Sequence, residues 1–87
     1  MDIIRLLALG GTKKILLSLD EGMRMKYSEI VKVVGYSTTT TRSLKNLEKQ
    51  GLVKREVLNE PYRPVAYSLT EKGKRLASLV RELENIS

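Results

Sequence analysis

The sequence predicts an α+β fold, a mostly helical three-helix core carrying a β-hairpin, and three stretches lead to that expectation. The first is STTTTRSLKNLEKQGL, Ser37 to Leu52. It opens on a residue whose hydroxyl can cap a helix and reaches Gly51, which can take the left-handed conformation that ends one. The second is a pair of alternating runs, LVKREVL (52–58) and VAYSL (65–69), joined by NEPYRP, where two prolines and an asparagine dictate a loop. The third is TEKGKRLASLVRELENIS, where Leu76, Leu79, Val80, Leu83 and Ile86 recur at three and four residues, one face of a helix capped by Thr70.

Taken in order, residues 2–20 read as a short helix, a break at Gly10-Gly11, and a second helix capped by Thr12 that runs to about Leu19 and buries Ile15, Leu16 and Leu19. The first piece has more apolar surface than so small a core consumes, so Ile3, Ile4 and Leu7 are either core or an interface between copies. Asp20-Glu21-Gly22 reads as a turn and Arg24 to Tyr27 as a short strand. Ser28 is expected to cap a helix from Glu29 to about Val34, with Ile30, Val31 and Val34 on its apolar side, ending at Gly35. Only Tyr36 and Ser37 then separate it from the next helix. Two short helices joined by a tight glycine turn form a helix-turn-helix, in which the first braces the second at the angle a groove requires.

The second of these helices, about 38–50, carries the functional expectation. Leu44 and Leu47 share a narrow inner stripe with Thr40 and Gly51, while Thr38, Arg42, Lys45 and Lys49 share the outer one. Such a pattern also suits a plain solvated helix. Four consecutive threonines, however, are poor helix formers, and solubility alone would be better served by Glu, Lys and Ala. Arg42 and Lys45 can reach guanine edges or phosphates, and Ser37, Thr38, Thr39 and Thr41 can position the helix against phosphates or thymine methyls. The hairpin that follows, about 53–69, is then the wing of a winged helix, with Lys49, Arg55 and Arg63 holding phosphates and Arg63 near the adjacent minor groove. Glu60 in the same loop would repel phosphate.

Charge points the same way. The 87 residues hold 16 Lys+Arg against 10 Asp+Glu, a net +6, and nine of the bases but only four of the acids lie between Arg42 and Arg75. A basic segment on one small domain, spanning 1–87, favours a polyanion, nucleic acid before membrane. There is no cysteine and no histidine, which removes disulfides, thiol chemistry, cysteine-ligated zinc and the commonest general base. No Asp/Glu spacing fits a metal site, so no catalytic residue, metal or cofactor is expected. The apolar N-terminus is short, carries Asp2 and lacks a basic lead, so it does not read as a signal peptide, and the expected location is cytoplasmic and nucleoid-associated. The closing helix, about 71–86, has a stripe long enough to pair with a twin. Leu79, Leu83 and Ile86 are therefore expected at a homodimer interface together with Ile3, Ile4 and Leu7. Binding to another protein, or to DNA without sequence preference, remains open as an alternative.

The runs LKNLEKQGLVKRE and VAYSLTEKGKRL, with the loop ending at Pro64, resemble winged helix-turn-helix transcription regulators of the MarR-like and HxlR-like groups. The earlier LALGGTKKILLSLDEG is similar to the first helix of the HxlR-like group. The resemblance implies a helix–strand–helix–helix–strand–strand–helix order, a dimer built from terminal helices, and double-stranded DNA as partner. The HxlR-like pattern also has an N-terminal cysteine and a tryptophan in the first helix, and this chain has neither, so thiol sensing by that route is impossible. The extra helices that form an effector pocket in larger MarR-like proteins have no room here, so no small-molecule effector is expected.

Overall fold

The computed structural model describes residues 2–86; Met1 and Ser87, the ends of the expected 1–87 domain, lie outside them. The order is α1 (Ile3–Ala8), α2 (Thr12–Gly22), β1 (Arg24–Lys26), α3 (Tyr27–Val34), α4 (Ser37–Lys49), β2 (Val53–Val57), β3 (Val65–Leu69) and α5 (Glu71–Ile86). The expected order holds, with the first helix divided at the two glycines as their spacing implied. One core joins Leu6, Ile15, Leu16, Leu19, Ile30, Leu44, Leu47 and Leu52 to Val53, Tyr67, Leu69, Leu76, Ala77 and Val80. Among the described residues no helix is long and apolar enough to cross a membrane.

Several helix starts differ from the sequence expectation, each for a local reason. Thr12 is not the cap of α2. Gly11 is, in the left-handed region at φ 86°, and its carbonyl accepts from the N–H of Ile15 at 3.0 Å. Asp20, Glu21 and Gly22 form the last turn of α2 instead of a turn after it. Arg81 of α5 reaches across, its Nε 2.8 Å from Asp20 Oδ2 and its Nη2 3.3 Å from both Glu21 Oε1 and the Leu17 carbonyl. These bonds hold the final turn helical, and the hydrogen bond to Asp20, ahead of that to Glu21, raises the Arg81 pKa against the opposing effect of desolvation. Ser28 is likewise inside α3. That helix starts at Tyr27, and Glu29 turns back so that its Oε1 accepts from the Lys26 N–H at 2.8 Å.

The same holds for α4. Ser37 is its first helical residue, and Tyr36 occupies the cap position with an extended backbone. Thr40 does the anchoring: both its N–H, at 3.0 Å, and its hydroxyl, at 2.7 Å, donate to the Tyr36 carbonyl. At the other end the expected glycine works as read. Gly51 sits at φ 72°, its N–H bonds the Glu48 carbonyl at 3.0 Å, and the Leu52 N–H bonds the Leu47 carbonyl at 2.9 Å. That pair of bonds closes the helix and drops Leu52 into the core.

The sheet is antiparallel with β3 in the centre, in the order β1-β3-β2. Tyr67 lies opposite Met25 on one side and Arg55 on the other, and Ala66 lies between Lys26 and Glu56. The hairpin was legible, but the pairing of β1 with β3 was not, because three residues carry too little alternation to name a partner. Thr70 then starts α5 as expected. Its Oγ1 accepts from the Gly73 N–H at 3.1 Å and donates to the Gly51 carbonyl at 2.6 Å. Gly73 is where α5 crosses the start of the hairpin, and a Cβ there would collide with the Leu52 carbonyl oxygen.

Candidate nucleic-acid interface

Four residues of α4 face inward: Thr40, Ser43, Leu44 and Leu47. The leucines pack in the core, and the Ser43 hydroxyl donates to the Gly10 carbonyl at 2.9 Å. Sequence reasoning missed Ser43, although the spacing Thr40–Ser43–Leu44–Leu47 is that of a helix face. Thr39 is half-buried, and its methyl packs toward Gly10 and Gly11. It therefore sits beside buried Thr40 and apart from the exposed Thr38 and Thr41, because a four-residue run covers every side of a helix and cannot all face outward.

The rest of the helix turns outward. Ser37, Thr38, Thr41, Arg42, Lys45 and Lys49 are exposed. Ser37, Thr38, Thr41, Arg42 and Lys45 line one shallow groove with Tyr27, and Arg42, Lys45 and Lys49 line the next along the same helix with Asn46 and Glu48. A third groove, between α4 and the hairpin, brings Thr41 together with Arg55, Arg63 and Tyr27. Eight of the nine expected contact residues thus fall on one continuous strip, and Thr39 is the exception.

Tyr27 was read as the end of a strand and is the residue that sequence reasoning missed most. Its hydroxyl lies 2.6 Å from Thr41 Oγ1 and donates to the Ser37 carbonyl at 3.3 Å, pinning the first turn of α4 to the start of α3. Nothing in the sequence marks that bridge, since it joins residues far apart in the chain.

Among the described residues no ion pair engages Arg42, Lys45, Lys49, Arg55 or Arg63. The hairpin's own acids are taken up elsewhere: Glu56 pairs with Arg24 and Glu60 with Lys26, each at 3.2 Å. Glu60, expected to repel phosphate, thus has its charge offset by Lys26. These pairs are exposed and contribute little stability. Their effect is on where charge remains unbalanced.

The residues expected at a dimer interface lie at the other end. Ile3 and Leu7 are half-buried against the core, and Ile3 shares a groove with Leu79 of α5. Ile4, Leu79, Leu83 and Ile86 are 81%, 53%, 63% and 83% exposed, while Leu76, Ala77 and Val80 fill the core. The apolar stripe of α5 therefore splits into an inner row and an uncovered outer one.

Comparison with known proteins agrees with the winged-helix fold. A family model described as HxlR-like helix-turn-helix matches residues 11–87. An HTH-type transcriptional regulator of Methanothermobacter thermautotrophicus is 38% identical over 79 residues, covering 86% of this chain and 60% of that protein. The chain spans 60% of that relative and 37% of the regulator YvaP of Bacillus subtilis. Among solved structures, the reduced form of the transcriptional regulator YodB from B. subtilis superposes with a TM-score of 0.70 at 27% identity, over 84% of this chain and 74% of that one. The reduced form of MarR from E. coli superposes with a TM-score of 0.78 at 25% identity, over 85% and 55% respectively.

Proposed function

The chain belongs to the HxlR-like helix-turn-helix family, winged-helix transcription regulators and not enzymes, and from that premise we propose a homodimer that reads duplex DNA by sequence. In this reading α4 enters the major groove. Arg42 and Lys45 meet base edges or the phosphates beside them, and Ser37, Thr38 and Thr41 set the depth of the helix. Lys49, Arg55 and Arg63 hold phosphates, with the hairpin against the backbone or the adjacent minor groove. Thr39 acts from within, by seating α4 on the Gly10–Gly11 link. The outer rows of α1 and α5 cover each other across a two-fold axis, which would fix the spacing of two half-sites. Such a protein works inside the cell, at the nucleoid, without a cofactor or a small-molecule effector.

One observation supports this best: among the described residues the exposed cations of α4 and the hairpin lack carboxylate partners, while the hairpin's own carboxylates, Glu56 and Glu60, are taken up by Arg24 and Lys26. Unpaired cations arrayed on one strip gain most by displacing counterions from a polyanion.

The test is a binding titration on duplexes selected from a random pool, repeated across salt. If each subunit neutralises roughly three to five phosphates, affinity falls by about 10³–10⁵ between about 50 and 200 mM salt, and the selected duplexes share a palindrome. Binding that ignores salt removes the DNA reading. Steep salt dependence without any shared motif leaves a general architectural binder in place of a regulator of particular sites.

A further inference from the structure

We propose that Tyr62 reads the minor groove, selecting A·T over G·C pairs beside the site that α4 occupies. The inference rests on the duplex-binding reading above and adds to it a residue and a base preference.

The chain has four tyrosines and no phenylalanine or tryptophan. Tyr67 fills the core and Tyr27 pins α4, while Tyr36 lends only its backbone to the cap of α4 and leaves its ring largely exposed on the helical side. Tyr62 is fully exposed at the tip of the hairpin, where folding gives its ring no work.

The tip is also held in place. Tyr62 and Arg63 sit at φ 69° and 44°, in the left-handed region that residues with a side chain rarely adopt. Neighbouring bonds maintain that shape: the Arg63 N–H donates to the Glu60 carbonyl at 2.9 Å, and the Leu58 N–H to the Pro64 carbonyl at 2.8 Å. Lys26 holds the Glu60 carboxylate at 3.2 Å, and Pro61 and Pro64 each fix one more torsion. A ring presented on a preset turn loses little freedom when it binds. Unusual backbone kept by surrounding contacts is characteristic of binding sites.

Chemistry selects the ligand. A phenol is a flat apolar body with one donor at its end. The walls of the minor groove are deoxyribose, and at A·T pairs its floor offers only the acceptors adenine N3 and thymine O2. The phenol hydroxyl can donate to either. At G·C pairs the acceptors guanine N3 and cytosine O2 are still present, but the guanine amino group projects from the floor between them, so the ring is held off and its hydroxyl stays too far out to donate to either. Arg63, next in the chain and unpaired, adds positive charge suited to the deeper negative potential of a narrow A·T groove.

The experiment uses the full chain and a duplex selected by it. Pairs flanking the selected core are replaced one at a time by A·T, G·C or inosine·cytosine, which has the minor-groove floor of A·T but a major-groove face like that of G·C. Wild type should bind the A·T and inosine duplexes alike and the G·C duplex about 5- to 10-fold more weakly at one or two positions, the loss expected for one unmade hydrogen bond. Tyr62→Phe should bind all three within about twofold of one another, since the donor is gone. Nitration of Tyr62, followed by peptide mass, should slow when duplex is added and recover in salt that releases it, with buried Tyr67 unreactive throughout.

Discrimination that follows the major-groove face, with inosine behaving as guanine, overturns the proposal. So does nitration at the same rate free and bound. A protein that loses affinity with Arg42→Ala but is indifferent to Tyr62 loses this inference alone. A protein that binds no duplex loses both this inference and the reading beneath it.

Discussion

The strip formed by α4 and the hairpin and the face formed by α1 and α5 leave opposite things unfinished. On the first, cations stand without carboxylates and the apolar residues are inside. On the second, ion pairs form: Arg81 holds Asp20 and Glu21, Lys13 lies 3.1 Å from Glu84, and Arg5 lies 3.7 Å from Asp2, although Arg75 near the start of α5 has no ion pair among the described residues. What remains uncovered there is apolar, at Ile4, Leu79, Leu83 and Ile86. A surface meant only for water would do neither. Unbalanced charge fits a polyanion, and uncovered leucine fits a second copy of itself. The two faces therefore support two different partners, and substitutions can separate them.

The largest expected effect destroys both faces together. Gly73 lies where α5 crosses the Leu52 carbonyl, the junction between hairpin and closing helix. Gly73→Ala forces backbone apart from backbone and should cost about 3 kcal/mol, a large share of the stability of so small a domain. Denaturant unfolding would show the midpoint fall, with duplex binding and self-association lost in parallel. A variant of unchanged stability would mean that α5 does not press on the hairpin as described.

Next in size is the apolar face alone. Leu79→Glu with Leu83→Glu places two charges where two leucines would be covered, each worth roughly 1.5–3 kcal/mol when fully buried. Sedimentation should show monomer where wild type is dimer, and affinity for a two-half-site duplex should drop by about 100-fold or more, that for a single half-site little. Both side chains are exposed in the single chain, so the variant should still fold cooperatively as a monomer, losing only the concentration-dependent part of the wild-type Tm. Unaltered self-association would break the comparison, leaving the outer row of α5 without a partner.

How far the two faces could be read in advance differs between them. Both ends of the α5 stripe were legible, since apolar residues at three and four state a helix face directly. The periodicity could not say that Leu76 and Val80 point in while Leu79 and Leu83 point out, because a stripe wider than one neighbour has two sides. On α4 the outward Arg42, Lys45 and Lys49 followed from spacing alone. The inward turn of Thr39, the bond from Ser43 to Gly10 and the Tyr27 bridge did not, as each depends on which distant segment lies alongside. The starts of α2 and α4 were missed by one residue and that of α3 by two, for a related reason. Ser and Thr cap well in general, but here backbone groups, Glu29 and Thr40 had already met the need.

On the charged strip, Arg42→Ala should cost about 1–3 kcal/mol at the selected duplex and relax preference at one base pair. Lys49→Ala should weaken all duplexes alike and lower the salt slope by about 1, the signature of a phosphate contact. Neither should alter self-association. If Lys49→Ala changed sequence preference and Arg42→Ala did not, the helix would lie in its groove turned from the orientation proposed.

The smallest expected effect tests whether the strip is held rigid before DNA arrives. Tyr27→Phe removes the hydroxyl that lies 2.6 Å from Thr41 Oγ1 and donates to the Ser37 carbonyl at 3.3 Å. Neither partner is stranded: Thr41 is exposed and can turn to water, and the Ser37 carbonyl keeps its place in the helical ladder. The loss should therefore be that of one ordinary bond between accessible groups, about 0.5–1 kcal/mol in stability. Its consequence for binding should be the more informative one. With the first turn of α4 released from α3, amide exchange at the start of α4 should quicken, and duplex affinity should fall by about threefold as that turn is ordered on binding. Self-association, governed from the far face, should stay as it was. Equal exchange in the two proteins would show that Tyr27 merely rests beside α4, and the preset shape of the strip would then come from Thr40 and Ser43 alone.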